Sequence, residues 1–180
     1  FKIIILIGIL DFIKILYIQF SKKNYPIVYV EKKNFNEYLN KINNCKIFLV
    51  NLPFKINGSF KNVYNCHPSL LSNYKGLLPI IRNVYDLFFN KMKPETGVTM
   101  HKLSKNFDSG QIVWNKSFKL NLIKRNSFKK IYEDFYLNFC EGIDKVCRLK
   151  KIKYNKIANY KFQKKRINFY EIFKLKLKLL

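Results

Sequence analysis

Asn65, His67 and Asp108 offer an amide, an imidazole and a carboxylate, each close to Pro, Ser or Gly. They lie in the strings Asn65-Cys66-His67-Pro68-Ser69-Leu70-Leu71 and Phe107-Asp108-Ser109-Gly110, with Gly97-Val98-Thr99-Met100-His101 between them. On a strand, residues two apart point to the same face, so Asn65 and His67 would present their side chains together. Asp108 precedes Ser-Gly, a turn-forming pair that can aim it back at that face. An amide that binds a carbonyl oxygen, an imidazolium that stabilises an oxyanion and a carboxylate that handles a proton suit acyl transfer to an amine. Taken singly, each has a plainer reading. His before Pro is usually structural, Asp before Ser-Gly usually makes a turn, and Asn at a strand end usually caps a loop. Their occurrence together favours the chemistry.

The elements that must position them can be read from periodicity. Lys2–Ile7, Pro26–Val30, Lys46–Val50, Val63–Cys66, Val98–Lys102 and Gln111–Leu120 read as strands. Asp11–Lys22, Phe35–Ile42, Pro79 to about Asn90 and Phe128 to about Leu149 read as helices, the last with Ile131, Phe135, Phe139 and Val146 inward. Pro79 suits a first helical turn, and Ser127 suits an N-cap. Strands alternating with helices predict an α/β fold: a mainly parallel sheet with flanking helices, Rossmann-like. Ligands of such sheets bind beyond the carboxyl ends of the strands, where Asn65 and His67 fall. Gly8 is the only glycine before Gly58, which excludes a dinucleotide-binding glycine fingerprint.

N-x-H-P-S-L-L, then G-V-T-x-H, then D-S-G, in that order, resemble the folate-dependent formyltransferases. That family includes enzymes that act on methionyl-tRNA, glycinamide ribonucleotide and amino-sugars. The close resemblance runs from about Val63 to Val113. It implies that Asn65, His67 and Asp108 are the catalytic set and that Thr99 and His101 lie at the ligand or just behind it. It implies 10-formyltetrahydrofolate as co-substrate and no metal. The folate pocket would be built largely from backbone, around Leu49, Val50, Asn51 and Leu52 and around Lys105, Asn106 and Phe107. Ser69 and Gly76 would shape the loop beside the acceptor.

The chain departs from the family pattern in three places. Ser72 stands where Pro usually follows S-L-L. The spacing from His67 to Asp108 is longer, with the extra length in Phe88–Glu95. The segment before Asn65 is shorter by one βα unit, so a shortened N-terminal part is expected, and the chain opens on Phe1 rather than Met.

Composition bounds the partners. The 180 residues suit one domain, read here as residues 1–149, followed by a basic extension over 150–180. A net charge of +24 favours anionic partners: nucleic acid, phosphorylated metabolites or a polyglutamylated folate. Heavy use of Ile, Lys, Asn, Phe and Tyr is also what AT-rich codons supply, so part of the charge has a compositional origin. Cys45, Cys66, Cys140 and Cys147 form no C-x-x-C pair, so neither a zinc site nor a disulfide framework is expected. Lys2, Asp11 and Lys14 interrupt the apolar residues 1–20, so no membrane span is expected there. A cytoplasmic location, or an organellar matrix or stroma, fits reduced thiols.

The acceptor reading is methionyl-tRNA, supported by the charge and by two short segments. Gly8-Ile9-Leu10-Asp11-Phe12 and Pro79-Ile80-Ile81-Arg82 resemble stretches of the tRNA-specific branch. The alternatives are a small amine, either glycinamide ribonucleotide or an amino-sugar nucleotide, and a non-catalytic fragment that binds anions through its tail.

Overall fold

The computed structural model describes residues 3–7, 34–42, 45–50, 60–71, 73–76, 78–90, 96–120, 128–149 and 151–154, with single positions at 56, 58, 170, 171 and 174. The helix expected over 11–22, the strand over 26–30 and most of the basic extension lie outside them.

Among the described residues the strands are β1 (Ile3–Ile7), β2 (Lys46–Val50), β3 (Val63–His67), β4 (Thr96–Lys102) and β5 (Ile112–Phe118). The helices are α1 (Phe35–Lys41), α2 (Pro79–Phe89) and α3 (Phe128–Arg148). The strands form one sheet in the order β1-β2-β3-β4-β5. β1, β2 and β3 pair in parallel, and β4 is antiparallel to both β3 and β5. Four of the five strands therefore run one way and β4 alone is reversed, an α/β sheet of mixed pairing.

The two faces of the sheet carry different layers. Phe48, Val50, Tyr64, Cys66, Val98 and Met100 face α2 and α3, where they meet Ile80, Val84, Ile131, Phe135, Phe139, Ile143 and Val146. The α3 residues recur at spacings of three and four, which places them on one stripe of the helix. Phe135 and Phe139 are fully buried, a burial worth roughly 1.5–3 kcal/mol for each side chain. Cys140 and Cys147 pack against the same cluster. On the other face Ile47, Leu49 and Val63 meet Phe35 and Leu39 of α1.

Lys46 ties the helix layer to the sheet. Its Nζ donates to the carbonyl oxygens of Val146 at 2.9 Å, Cys147 at 3.2 Å and Leu149 at 2.8 Å. These carbonyls lie at the end of α3, the negative end of its dipole, so an ammonium suits them. Among the described residues no helix is long and apolar enough to cross a membrane.

Candidate active site

β3 and β4 set out the polar residues in register. Asn65 lies opposite His101, and His67 lies opposite Thr99. Alternation along both strands puts these four on the face away from α2 and α3. A register shift between Met100 and His101 marks a bulge, a device that re-aims side chains beside functional sites.

The turn after β4 returns a carboxylate to that face. Asp108 sits in the left-handed region at φ 49°, a conformation that Asp tolerates better than most side chains. Gly110 allows the close return, since a Cβ there would overlap the carbonyl oxygen of Lys102.

The Asp108 Oδ1 atom is the focus of the arrangement. Asn65 Nδ2 donates to it at 3.2 Å, His67 Nδ1 lies 3.3 Å away and His101 Nε2 lies 3.5 Å away. Oδ2 accepts the backbone N–H of Gly76 at 2.8 Å. Asn65 Nδ2 also lies 3.1 Å from His101 Nε2. His67 is 4% exposed and Asp108 5%. Burial pushes the Asp108 carboxyl up. The His67 charge and hydrogen bonds from His101, His67 and the Gly76 backbone outweigh it, and hold the carboxyl well below the usual carboxylate range.

Behind these groups the loop after β3 is pinned. Thr99 Oγ1 donates to the Ser69 carbonyl at 2.8 Å and accepts from the Leu71 N–H at 3.3 Å. The Tyr74 carbonyl accepts from His67 Nε2 at 2.9 Å and from Ser69 Oγ at 2.7 Å. The hydroxyls of Ser69 and Thr99 thus hold loop backbone. Leu49 and Val50 are buried in β2, while Asn51 and Leu52 lie outside the described residues. Lys105, Asn106 and Phe107 are exposed on the turn that carries Asp108, Phe107 at 57%. Tyr74 has no place among the expected site residues, whereas Gly110 enters them through its turn. The D-S-G string carried a signal for Gly110. A backbone carbonyl such as that of Tyr74 leaves none.

Several donors aimed at one oxygen form an anion-stabilising cluster, the geometry needed where a carbonyl oxygen gains charge. Among the described residues no group of three or more His, Cys, Asp or Glu side chains is placed to hold a metal ion.

The formyl transferase family profile matches residues 24–135 of this chain, more than half of its length. This chain belongs to the formyl transferase family. It is similar to the methionyl-tRNA formyltransferase of Fervidobacterium nodosum, with 34% identity over 73 residues. That match covers 41% of this chain and only 21% of the relative. The fold of this formyl transferase family member is shared with solved structures at low identity. One is the formyltransferase PseJ from Anoxybacillus kamchatkensis, in complex with UDP-4,6-dideoxy-4-formamido-L-AltNAc and tetrahydrofolate. It has a TM-score of 0.61 and 19% identity, and the match covers 87% of this chain and 82% of that one. Another is the N-formyltransferase from Helicobacter canadensis, in complex with folinic acid and dTDP-3-aminofucose. It has a TM-score of 0.62 and 19% identity, and the match covers 97% and 78%.

Proposed function

We propose that this chain transfers a formyl group from 10-formyltetrahydrofolate to a primary amine, with Asn65, His67 and Asp108 as its catalytic residues. The observation that carries the reading is the convergence of Asn65 Nδ2 and His67 Nδ1 on Asp108 Oδ1, at 3.2 and 3.3 Å. Both donors can turn from that oxygen to a formyl oxygen beside it.

Attack of the amine on the formyl carbon makes a tetrahedral intermediate whose oxygen is anionic. Asn65 donates an amide hydrogen to that oxygen, and protonated His67 adds a charge-assisted hydrogen bond. One such donor contributes roughly 10²–10³ in rate. Asp108 has two roles. With its ionised form so strongly favoured, it holds the imidazolium in place before substrate binds. As the donors shift to the formyl oxygen, the carboxylate loses their hydrogen bonds and becomes more basic, so it accepts the proton of the attacking amine. The carbon–nitrogen bond to the folate then breaks, and the folate nitrogen leaves with the proton that Asp108 took from the amine, which regenerates the carboxylate. Lys105, Asn106 and Phe107 on the exposed turn are suited to line the folate side, with the ammonium of Lys105 near an anionic tail.

Methionyl-tRNA is the favoured acceptor, supported by the F. nodosum relative and by the net charge of +24. An amino-sugar nucleotide is the second reading, favoured by similarity to structures that hold UDP- and dTDP-linked sugars. Both acceptors carry phosphate. Incubation with 10-formyltetrahydrofolate and each acceptor in turn, followed by mass measurement of the product, separates them. Transfer to neither, nor to glycinamide ribonucleotide, would leave the non-catalytic anion binder.

A further inference from the structure

We propose that Tyr74, anchored by Asp86, is a positioning residue that fixes which nitrogen of His67 faces the reacting oxygen. The inference rests on the reading of His67 as a donor to the formyl oxygen.

Tyr74 is held at both ends. Its carbonyl accepts from His67 Nε2 at 2.9 Å and from Ser69 Oγ at 2.7 Å. Its phenol donates to Asp86 Oδ2 at 2.7 Å. Asp86 lies fully buried on α2, where it also accepts from Asn90 Nδ2 and faces Arg82 Nη2 at 3.4 Å. Arg82 in turn reaches Glu171, with Nη1 3.3 Å from its Oε1. Burial first, and then Asp86, push the ionisation of the Tyr74 phenol upward, so it remains a donor.

The consequence for His67 follows from donor and acceptor counting. A carbonyl oxygen only accepts, so the Nε2 that faces it carries a hydrogen. A neutral imidazole has one N–H, and with that hydrogen on Nε2 its Nδ1 would set a lone pair against the Asp108 carboxylate at 3.3 Å. The doubly protonated ring satisfies both contacts. The neutral form with its hydrogen on Nδ1, which could also donate into the site, is disfavoured by the Tyr74 carbonyl. His67 therefore donates to the reacting oxygen as a cation. Among the described residues, Asp108 is the charged group in direct contact with the ring, and His101 reaches it through the same carboxylate oxygen. A Phe at position 74 would fill the same volume. The hydroxyl adds a fixed point on α2, so the carbonyl cannot drift from Nε2.

The test is magnetic resonance of the full chain labelled with ¹⁵N at histidine. The chain holds two histidines, so the ring signals are few, and His67→Gln assigns them. The wild type should show a protected His67 Nε2–H that exchanges slowly with water. Tyr74→Phe should speed that exchange by about tenfold, the equilibrium value of one hydrogen bond. It should also lower kcat for formyl transfer while folate affinity holds. Asp86→Asn keeps an oxygen for the phenol and should give a smaller acceleration in the same direction. Wild-type exchange rates and ring nitrogen shifts in Tyr74→Phe would overturn the proposal. If Tyr74→Phe does not fold, unchanged exchange in Asp86→Asn overturns it instead. If the wild type formylates no acceptor, the proposed function falls while the exchange comparison still decides this inference.

Discussion

Gly76 donates its backbone N–H to Asp108 Oδ2 at 2.8 Å across 32 positions of sequence. That bond joins the loop after β3 to the turn after β4. Oδ2 is thereby committed to the loop, and Oδ1 is left to face Asn65, His67 and His101.

His67→Ala removes the charged donor. Formyl transfer should fall by about 10²-fold or more. Folate binding should remain near the wild-type value, because the expected pocket is largely backbone. Single-turnover rates and a folate titration measure the two separately, and near-normal turnover with a natural acceptor would end the catalytic assignment.

Asp108→Asn should impair transfer severely and also change stability with pH. The sign follows from the lowered carboxyl. A group whose folded pKa lies below its unfolded value of about 3.9 contributes stability above that value. The contribution is lost as pH falls from there toward the folded pKa. Wild type should therefore weaken steadily below about pH 4. The variant should be less stable near neutral pH and flatter in the acid range. Denaturant melts across that range give both slopes.

Gly110→Ala tests the close return of the turn. The added Cβ has no room beside the Lys102 carbonyl oxygen, and backbone must shift. The expected cost is about 3 kcal/mol, at the upper end of ordinary overpacking, with loss of transfer because Asp108 moves. Equal thermal midpoints for variant and wild type would contradict the geometry.

Phe107→Ala should leave stability within about 0.5 kcal/mol, since the ring is largely exposed. Folate affinity should weaken if this turn lines the folate side. Calorimetric titration with a folate, beside a thermal melt, reads both. Unchanged affinity would remove Phe107 from the binding surface.

Arg82→Met should destabilise the fold by about 3 kcal/mol, because Asp86, a buried carboxylate, would lose the Arg82 guanidinium. The double variant Arg82→Met with Asp86→Leu should recover part of that loss. No recovery would mean that Asp86 is held mainly by Tyr74 and Asn90.

Local patterning in the sequence was enough for the strand at 46–50, for the strand at 63–66 to within one residue, for the Pro79 helix start and for the inward stripe of α3. Each rests on apolar period or backbone stereochemistry that acts over a few residues. The pairing of Asn65 with His67 was legible for the same reason, since a strand's period of two is local. Only tertiary structure decided that β4 runs against its neighbours, that His101 lies opposite Asn65, and which carboxylate oxygen of Asp108 meets His67. It alone decided that Ser69 and Thr99 hold loop backbone, and that the Tyr74 carbonyl rather than its ring reaches His67. Those outcomes depend on strand order and on where a peptide group lands after the chain turns back. A backbone carbonyl is the same in every residue, so no residue type announces it.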